Sequence, residues 1–298
     1  MRGYLPDYEL RAPSSVDEVL QTMAEAPGQW RPLAGGTDVM VELAAGKLPP
    51  GKFLSIWQLA ELRGIELTDD HVVLGALTTY SDVREHATMA AEYPMLVQAA
   101  RESGAIAIQN RGTLGGNVVN ASPAADSPPA LLAYAAQIEL ASVRGRRWVD
   151  YRGFHTGYKP MGRQPDELLT RIRMPRRPGG ATALHDYRKV GTRKAQAISK
   201  VCLAALGRLH DGKVAYFRAG VGSVAPVPLD LVKTEAALLG KTLDAATIDT
   251  AVAVAQAEVT PIDDIRSTAR YRAVVSRNLV RDFLTALAAG ETGVRAHE

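Results

Sequence analysis

The sequence predicts an α+β fold in two domains, and three observations lead to this prediction. Helix and strand patterns follow one another through roughly the first 174 of the 298 residues. A break rich in proline and glycine follows at Pro175–Gly180. Beyond it, Asp211-Gly212 lies between two apolar runs and predicts a β-hairpin, and the pattern from Asp230 onward is helical. We therefore predict one domain at residues 1–178 and a second at residues 179–298.

The chain begins with a strand, a helix and a second strand. Residues 7–11 and 30–34 are short apolar segments typical of strands, and Ser15 with Glu18 forms a capping-box pattern that predicts a helix between them. The second strand continues directly into a glycine-rich turn. After this turn we predict helices at Asp38–Ala45, Ser81–His86 and Met95–Ser103, and strands at Lys52–Trp57 and Val72–Ala76.

The later elements are predicted by equally local signals. Pro128 and Pro129 open a helix that runs to Tyr134, because proline is favoured in the first turn of a helix. Phe154–Pro165 contains two glycines and two prolines and is predicted to be a loop, and Gly240 predicts a helix end. Strands are predicted at Gln137–Val143, Arg147–Tyr151, Leu168–Met174, Ser199–Leu209 and Lys213–Val221, and helices at Ala245–Glu258 and Ala269–Ala289.

Composition and charge exclude several classes of protein. The net charge is +3, with 35 basic and 32 acidic residues and no long block of one sign, so we expect no nucleic-acid partner. The single cysteine, Cys202, excludes an internal disulfide and an iron–sulfur cluster held by this chain alone. No apolar run approaches the roughly 18 residues of a membrane span. Because Met1–Asp7 has no apolar stretch typical of a signal peptide, we expect a cytoplasmic location.

Two glycine-rich segments, roughly eighty residues apart, indicate a ligand site. The first is Pro32-Leu33-Ala34-Gly35-Gly36-Thr37-Asp38 and the second is Gly112-Thr113-Leu114-Gly115-Gly116-Asn117. Consecutive N–H groups in such turns form an anion-binding nest, and threonine and asparagine side chains add further donors. Each segment alone is more often a structural turn, but two together could hold a diphosphate from two sides. The spacing matches neither the Rossmann nor the P-loop pattern, which argues against nicotinamide and ATP sites of the standard kinds.

Together the motifs resemble one family, the FAD-binding medium subunit of molybdenum hydroxylases such as xanthine dehydrogenase and carbon monoxide dehydrogenase. The two glycine-rich segments carry this resemblance, with Ala121-Ser122-Pro123 and Asp126 following the second. The resemblance extends over nearly the whole chain. Its later parts are Phe154–Tyr158, Asp166–Leu169, Tyr187–Lys189 with Arg193, and a C-terminal signature of Asp264, Arg266, Ser267, Tyr271 and Arg272.

The resemblance implies a fold and a cofactor site. The fold is a two-subdomain FAD-binding domain of the vanillyl-alcohol-oxidase/PCMH type, with a break near residues 55–60. A small antiparallel sheet with three helices would form the C-terminal domain. The implied FAD-binding residues are Pro32, Leu33, Ala34, Gly35, Gly36, Thr37, Asp38, Ser103, Gly104, Gly112, Thr113, Gly115, Gly116, Asn117, Val119, Asp126, Arg163 and Lys189.

The same resemblance suggests roles for some of these residues. The two glycine-rich segments would surround the pyrophosphate, Asp126 would contact sugar or ribityl hydroxyls, and Ser103 and Gly104 would approach the adenine half. Lys189 would lie near the pyrimidine edge of the flavin, unless it is an exposed surface lysine. Relatives that hold flavin covalently carry a histidine in the first glycine turn, where this chain has Thr37 and Asp38, so we predict non-covalent FAD. Arg163 stands where some relatives place an apolar residue against the flavin.

The family also implies partner chains. An iron–sulfur small subunit and a large subunit with the molybdenum cofactor would join this chain, with two copies of each. Electrons would reach FAD through the [2Fe–2S] clusters and leave to NAD, oxygen or another acceptor. Two alternatives remain open: a stand-alone flavin reductase related to the peptidoglycan-precursor reductases, and a flavin-binding interaction module without turnover. The sequence specifies neither the organic substrate nor the acceptor.

Overall fold

The first structural unit is a small parallel sheet with one helix packed on it. The computed structural model describes residues 7–193, 196–295 and 297. The unit contains β1 (Tyr8–Arg11), α1 (Val16–Glu25), β2 (Trp30–Leu33), α2 (Val39–Ala44) and β3 (Gly51–Ser55), with strand order β1-β3-β2. The Ser15 side chain caps α1 by accepting the N–H of Glu18, as the capping box predicts. The Glu18 carboxylate accepts the N–H of Ser14 at 2.7 Å, one residue earlier than in the standard box.

The second unit is a five-stranded antiparallel sheet with six helices inserted between two of its strands. Its strand order is β4-β5-β8-β6-β7. The elements are β4 (Ile65–Leu67), β5 (His71–Gly75), α3 (Tyr80–Glu85), α4 (Ala87–Glu92), α5 (Pro94–Glu102), α6 (Ile106–Gln109), α7 (Leu114–Asn120), α8 (Ser127–Ala133), β6 (Gln137–Ser142), β7 (Gly145–Asp150) and β8 (Leu168–Pro175). Because the insertion lies between β5 and β6, all six helices follow the end of β5.

The third unit is a second five-stranded sheet backed by three helices. It comprises β9 (Leu184–Val190), β10 (Val201–His210), β11 (Lys213–Gly222), β12 (Leu229–Asp230), α9 (Val232–Leu238), α10 (Ala245–Glu258), α11 (Ala269–Ala288) and β13 (Gly293–Val294). The order is β12-β11-β10-β9-β13, antiparallel except for the β13–β9 pair. Asp211 and Gly212 both have positive φ, at 51° and 73°, as the predicted β10–β11 hairpin requires.

The second and third units share one hydrophobic core. Cys202, Ala204 and Leu206 of β10 belong to the same buried cluster as Leu131 of α8. A Cβ built on Gly220 would lie 2.4 Å from the carbonyl oxygen of Pro129, so β11 and α8 touch through their backbones. This close packing fixes α8 relative to β11.

Most predicted elements are present, and the differences have local causes. β4, β9, β12, β13, α4 and α6 were not predicted, because they are short or lack a regular apolar period. The second glycine-rich segment was predicted to be a turn, and instead forms the start of α7. Within the described residues, no helix is both long and apolar enough to cross a membrane.

Candidate functional site

The first glycine-rich segment connects β2 to α2 and presents a row of free backbone amides. β2 pairs with β3 up to Leu33, which fixes where the turn begins. Gly36 has φ +76°, a left-handed conformation that glycine adopts without strain. Among the described residues, no acceptor takes a backbone hydrogen bond from the N–H groups of residues 34–38. Consecutive unpaired amides of this kind form an anion-binding nest, and the Thr37 hydroxyl adds another donor.

The second glycine-rich segment has its amides already engaged. The Thr113 side chain caps α7 by accepting the N–H of Gly116 at 3.1 Å. The N–H of Leu114 donates to Thr78 at 3.0 Å, and the N–H of Gly115 donates to Ala76 at 3.0 Å. The prediction of a second nest of bare N–H groups is therefore wrong. These amides anchor the start of α7 to the chain that follows β5.

The glycines of the second segment are explained by packing. Gly115 is buried, and a Cβ there would lie 2.7 Å from both the Cβ and the carbonyl oxygen of Ala76. A Cβ on Gly112 would lie 2.8 Å from the ring of Tyr80. Both glycines therefore allow α7 to approach its neighbours closely.

The two glycine-rich segments are in direct contact. A Cβ on Gly35 would lie 1.7 Å from the carbonyl oxygen of Arg111, and one on Gly116 would lie 3.9 Å from the Cβ of Ala34. The side-chain oxygen of Asn117 accepts a hydrogen bond from Ser127 at 2.5 Å, and its NH₂ group has no hydrogen-bond acceptor among the residues that the structure describes. The first segment thus carries main-chain donors, while the second packs against it and carries one side-chain amide.

A cleft of about 610 Å³ adjoins the first segment. This volume is in the range of ligand pockets in proteins. At the edge of the cleft the Arg111 guanidinium stacks 3.9 Å from the Trp57 ring, and Arg63 lies 4.3 Å from the same ring. The cleft is lined by Gly35, Gly36, Thr37, Met40, Val41, Ala44, Ala45, Ala107, Ile108 and Arg111. It therefore combines mostly apolar walls with a positive charge beside the nest.

A buried ion pair joins the second unit to β9. The Lys189 Nζ donates to the Asp126 Oδ2 at 2.8 Å and to the Glu102 carbonyl at 2.8 Å, and the Lys189 side chain is only 4% exposed. Lys189 is therefore not the exposed surface lysine that the sequence left open. Ser103 also reaches Asp126, at 3.4 Å.

Ser199 completes this cluster and was missed from the sequence. Its hydroxyl donates to the Asp126 Oδ1 at 2.6 Å. Burial raises the pKa of Asp126, while Lys189 and the Ser199 and Ser103 hydroxyls act in the opposite direction. Ser199 lies two residues before β10, in a segment predicted as the start of a strand, and no sequence signal marks it as part of a site.

The structure places the remaining predicted residues on several elements. Pro32 and Leu33 end β2, and Gly104, with φ +66°, follows Ser103. Val119 lies on α7 and packs against the core. Arg163 donates to the Glu167 carbonyl at 3.0 Å, and burial lowers its pKa. Arg163 makes its hydrogen bonds within its own loop, so none of them links it to either cluster. In the described parts of the chain, no group of three or more His, Cys, Asp or Glu side chains could hold a metal ion.

Two family models match the chain. Residues 6–177 match the FAD binding domain in molybdopterin dehydrogenase, and residues 186–287 match the CO dehydrogenase flavoprotein C-terminal domain. The two matched segments therefore cover most of the described chain.

Individual relatives agree with these models. The chain is 29% identical to the xanthine dehydrogenase FAD-binding subunit of Escherichia coli O157:H7, over 94% of this chain and 96% of that one. It is 30% identical to the glyceraldehyde dehydrogenase medium chain of Sulfolobus acidocaldarius, over 93% and 96%. Among solved structures, a chain of carbon monoxide dehydrogenase from Hydrogenophaga pseudoflava superposes with a TM-score of 0.90 at 29% identity, over 96% and 99%.

Proposed function

The chain belongs to the molybdopterin dehydrogenase flavoprotein family, and from this membership we propose that it is the FAD-carrying subunit of a molybdenum hydroxylase, an oxidoreductase. The observation that carries the proposal is the row of amides at residues 34–38, which find no acceptor within the described part of the chain, beside a cleft of about 610 Å³. FAD, when bound, supplies the redox chemistry, because it takes up single electrons and gives up two together. The relatives are FAD subunits or medium chains of dehydrogenases, which favours this function over a stand-alone reductase or an inert flavin-binding module.

The residues around the first segment fit a dinucleotide. A diphosphate carries negative charge and needs several short-range donors, which the amides of residues 34–38 and the Thr37 hydroxyl supply. Arg111 lines the same cleft and adds positive charge. Thr37 and Asp38 stand in the first segment where relatives with covalently held flavin carry a histidine, so the proposal includes non-covalent binding.

Within this proposal the two glycine-rich segments have different tasks. Residues 32–38 bind the diphosphate through main-chain donors. Gly112, Gly115 and Gly116 shape the wall that faces them, and the NH₂ group of Asn117 contacts the ligand. We also propose that the chain divides into domains at residues 1–178 and 179–298, so that Asp126 and Lys189 meet across their boundary.

The Asp126–Lys189 pair places two opposite buried charges at the proposed site, the Lys189 ammonium and the Asp126 carboxylate. An ammonium group near a flavin ring favours the negative charge that reduction adds. The carboxylate of Asp126 offsets part of that effect, so the balance between the two groups sets the charge that the ring experiences. Contacts of Ser103, Gly104, Val119 and Arg163 with FAD remain predictions.

Partner chains are implied by the relatives, several of which are named medium chains or medium subunits. We propose one iron–sulfur subunit and one molybdenum subunit beside this chain, with two copies of each. Cys202 is the single cysteine of the sequence and is buried in β10, which supports iron–sulfur clusters on another chain. A cytoplasmic location is part of the proposal, and cell fractionation with an antibody against the chain would test it.

Reconstitution tests the proposed function directly. The full chain, stripped of cofactor and titrated with FAD, should bind about one equivalent and become yellow, and acid precipitation should then release all the flavin into the supernatant. Co-expression with the products of adjacent reading frames should give a larger complex on size exclusion. A chain that binds no FAD would contradict the proposal, and flavin retained in the acid pellet would contradict non-covalent binding.

A further inference from the structure

Asp264 and Arg272 belong to the C-terminal signature that carries the resemblance, yet the proposed function gives them no role. Arg272 lies on α11, and its side chain is 2% exposed. Its guanidinium donates to the carbonyls of Ser223 at 2.9 Å and Lys200 at 3.2 Å, and pairs with the Asp264 Oδ1 at 2.6 Å. A buried charge is tolerated when it is paired and hydrogen-bonded in this way. Arg272 therefore ties the end of β11 to the start of β10.

Ser223 extends this connection towards the candidate site. Its hydroxyl donates to the Ser199 carbonyl at 2.9 Å, and its N–H donates to the Pro123 carbonyl at 2.8 Å. Ser223 has φ +66°, an uncommon conformation for a residue with a side chain. These contacts position Ser199, which is 1% exposed.

Ser199 carries the connection to the buried pair, because its hydroxyl donates to Asp126 at 2.6 Å. Lys189, at the other end of the β9–β10 connection, donates to the second oxygen of the same carboxylate at 2.8 Å. One carboxylate thus fastens both ends of the segment between the two strands. The orientation of Asp126 depends on where both ends are held.

We propose that Asp264, Arg272 and Ser223 are positioning residues that hold the Ser199 hydroxyl on Asp126 and thereby fix the Asp126–Lys189 pair at the cofactor site. We call the set Asp264, Arg272, Ser223, Ser199 and Asp126 the Arg272 relay. The proposal rests on the proposed function, since the pair acts on a cofactor only if FAD binds beside it. Without the Ser199 hydroxyl the carboxylate loses a donor and more readily keeps a proton. The Lys189 charge would then be less compensated, and the midpoint potential of bound FAD would rise.

Ser223→Gly separates positioning from stability. Glycine suits a φ of +66°, so the change relieves local strain, keeps the main-chain hydrogen bonds, and removes only the hydroxyl that holds Ser199. We expect the unfolding temperature of the full chain to change by no more than a few degrees. The dissociation constant for FAD should rise by about fivefold, and the midpoint potential should rise with it.

Ser199→Ala and Arg272→Lys complete the test. Ser199→Ala should weaken FAD binding by roughly tenfold and raise the potential further, because it removes a hydrogen bond to a charged group. Lysine at position 272 keeps the charge but lacks the planar fork that joins two carbonyls and a carboxylate, so it should shift the potential in the same direction. The double variant Ser199→Ala/Ser223→Gly should bind FAD no more weakly than Ser199→Ala alone.

Ser276→Ala is the matched control. Ser276 is 3% exposed and lies on α11, but its hydroxyl donates only to Ala273 of the same helix at 3.1 Å. The Ser276→Ala variant should have the same FAD affinity and the same midpoint potential as the unaltered chain. If the unaltered chain binds FAD and the relay variants leave affinity and potential unchanged, the relay is contradicted alone. If the unaltered chain binds no FAD, the proposed function itself fails.

Discussion

The two glycine-rich segments resemble each other in sequence and differ in physical role. In residues 34–38 the backbone N–H groups make no hydrogen bond to an acceptor among the described residues, and Gly36 sits at φ +76°. In residues 113–117 the amides of Leu114, Gly115 and Gly116 are satisfied within the protein. The glycines of the first segment expose donors, whereas those of the second let a helix approach closely. A Gly-Gly pair therefore does not identify an anion site until the partners of its amides are known.

Gly35→Ala should give the largest loss of stability among these predictions, because it disturbs both glycine-rich segments. The new Cβ would lie 1.7 Å from the carbonyl oxygen of Arg111, so the backbones of the two segments would have to separate. We expect a loss of roughly 3 kcal/mol or more in the free energy of unfolding, measured with urea. Gly51→Ala is the control, because its Cβ would meet nothing closer than 3.9 Å. Equal stability of the two variants would show that the segments do not touch as described.

Gly115→Ala should lower stability and leave binding largely intact. The added methyl group faces Ala76 at 2.7 Å inside the protein, so we expect a loss of about 2 kcal/mol in the free energy of unfolding. The folded fraction should bind FAD within about twofold of the unaltered chain, since the N–H of this residue is not a ligand donor. Isothermal titration at low temperature measures the binding. Lost FAD affinity with unchanged stability would instead make the second segment a phosphate site.

Two threonines offer a finer contrast between the segments. Thr37→Val removes a hydroxyl at the nest, and should weaken FAD binding by roughly tenfold without changing the stability of the cofactor-free chain. Thr113→Val removes the N-cap of α7, and should cost about 1 kcal/mol of stability with little effect on FAD. Thermal unfolding and FAD titration of both variants check this. Equal losses of FAD affinity in the two variants would contradict the different roles assigned to the two segments.

The smallest expected difference is in how the free energy of unfolding depends on pH. Burial lowers the pKa of His155 to about 4, from roughly 6.5 in the unfolded chain. Its contribution to stability is fully present above pH 6.5 and is lost as the pH falls towards 4, because the unfolded chain then takes up the proton. His155 lies on the loop whose Lys159 donates to the Asn120 carbonyl of α7 at 2.7 Å, whereas residues 7–55 contain no histidine.

His155→Gln should therefore reduce the fall in unfolding free energy between pH 7 and pH 5. Urea unfolding at both values measures this fall for the variant and the unaltered chain. An unchanged slope in His155→Gln would mean that the pKa of this histidine is the same in the folded and the unfolded chain, which contradicts the effect of burial.

Elements with short-range signals could be predicted from the sequence. The hairpin at Asp211-Gly212, the cap at Ser15 and the helix end at Gly240 each depend on residues within one turn of each other. The helix Ala245–Glu258 was predicted at the bounds that the structure has. In such places local backbone preference and tertiary packing agree, so the pattern alone is sufficient.

Elements held by distant partners could not be predicted. Two adjacent glycines disfavour a helix, yet α7 forms because Thr113 caps it and residues 76 and 78 accept its first amides. In β9, Asp186 is 1% exposed and paired with Arg295 at 3.0 Å. Because charged residues are rarely buried, an aspartate at this position gave no indication of a buried strand. The burial of Lys189 likewise depends on Asp126, 63 residues away in the sequence. Such pairings arise only when the chain is folded.

The backbone contact between Gly220 and Pro129 has a consequence for engineering. At 2.4 Å from the Pro129 oxygen there is no room for even one added methyl group, so β11 and α8 have to match each other in shape. A chimera that takes its last 120 or so residues from another member of the family would bring a foreign β11 against the native α8. Grafts that carry α8 along with the C-terminal segment should fold, whereas grafts cut at the connection before β9 should not.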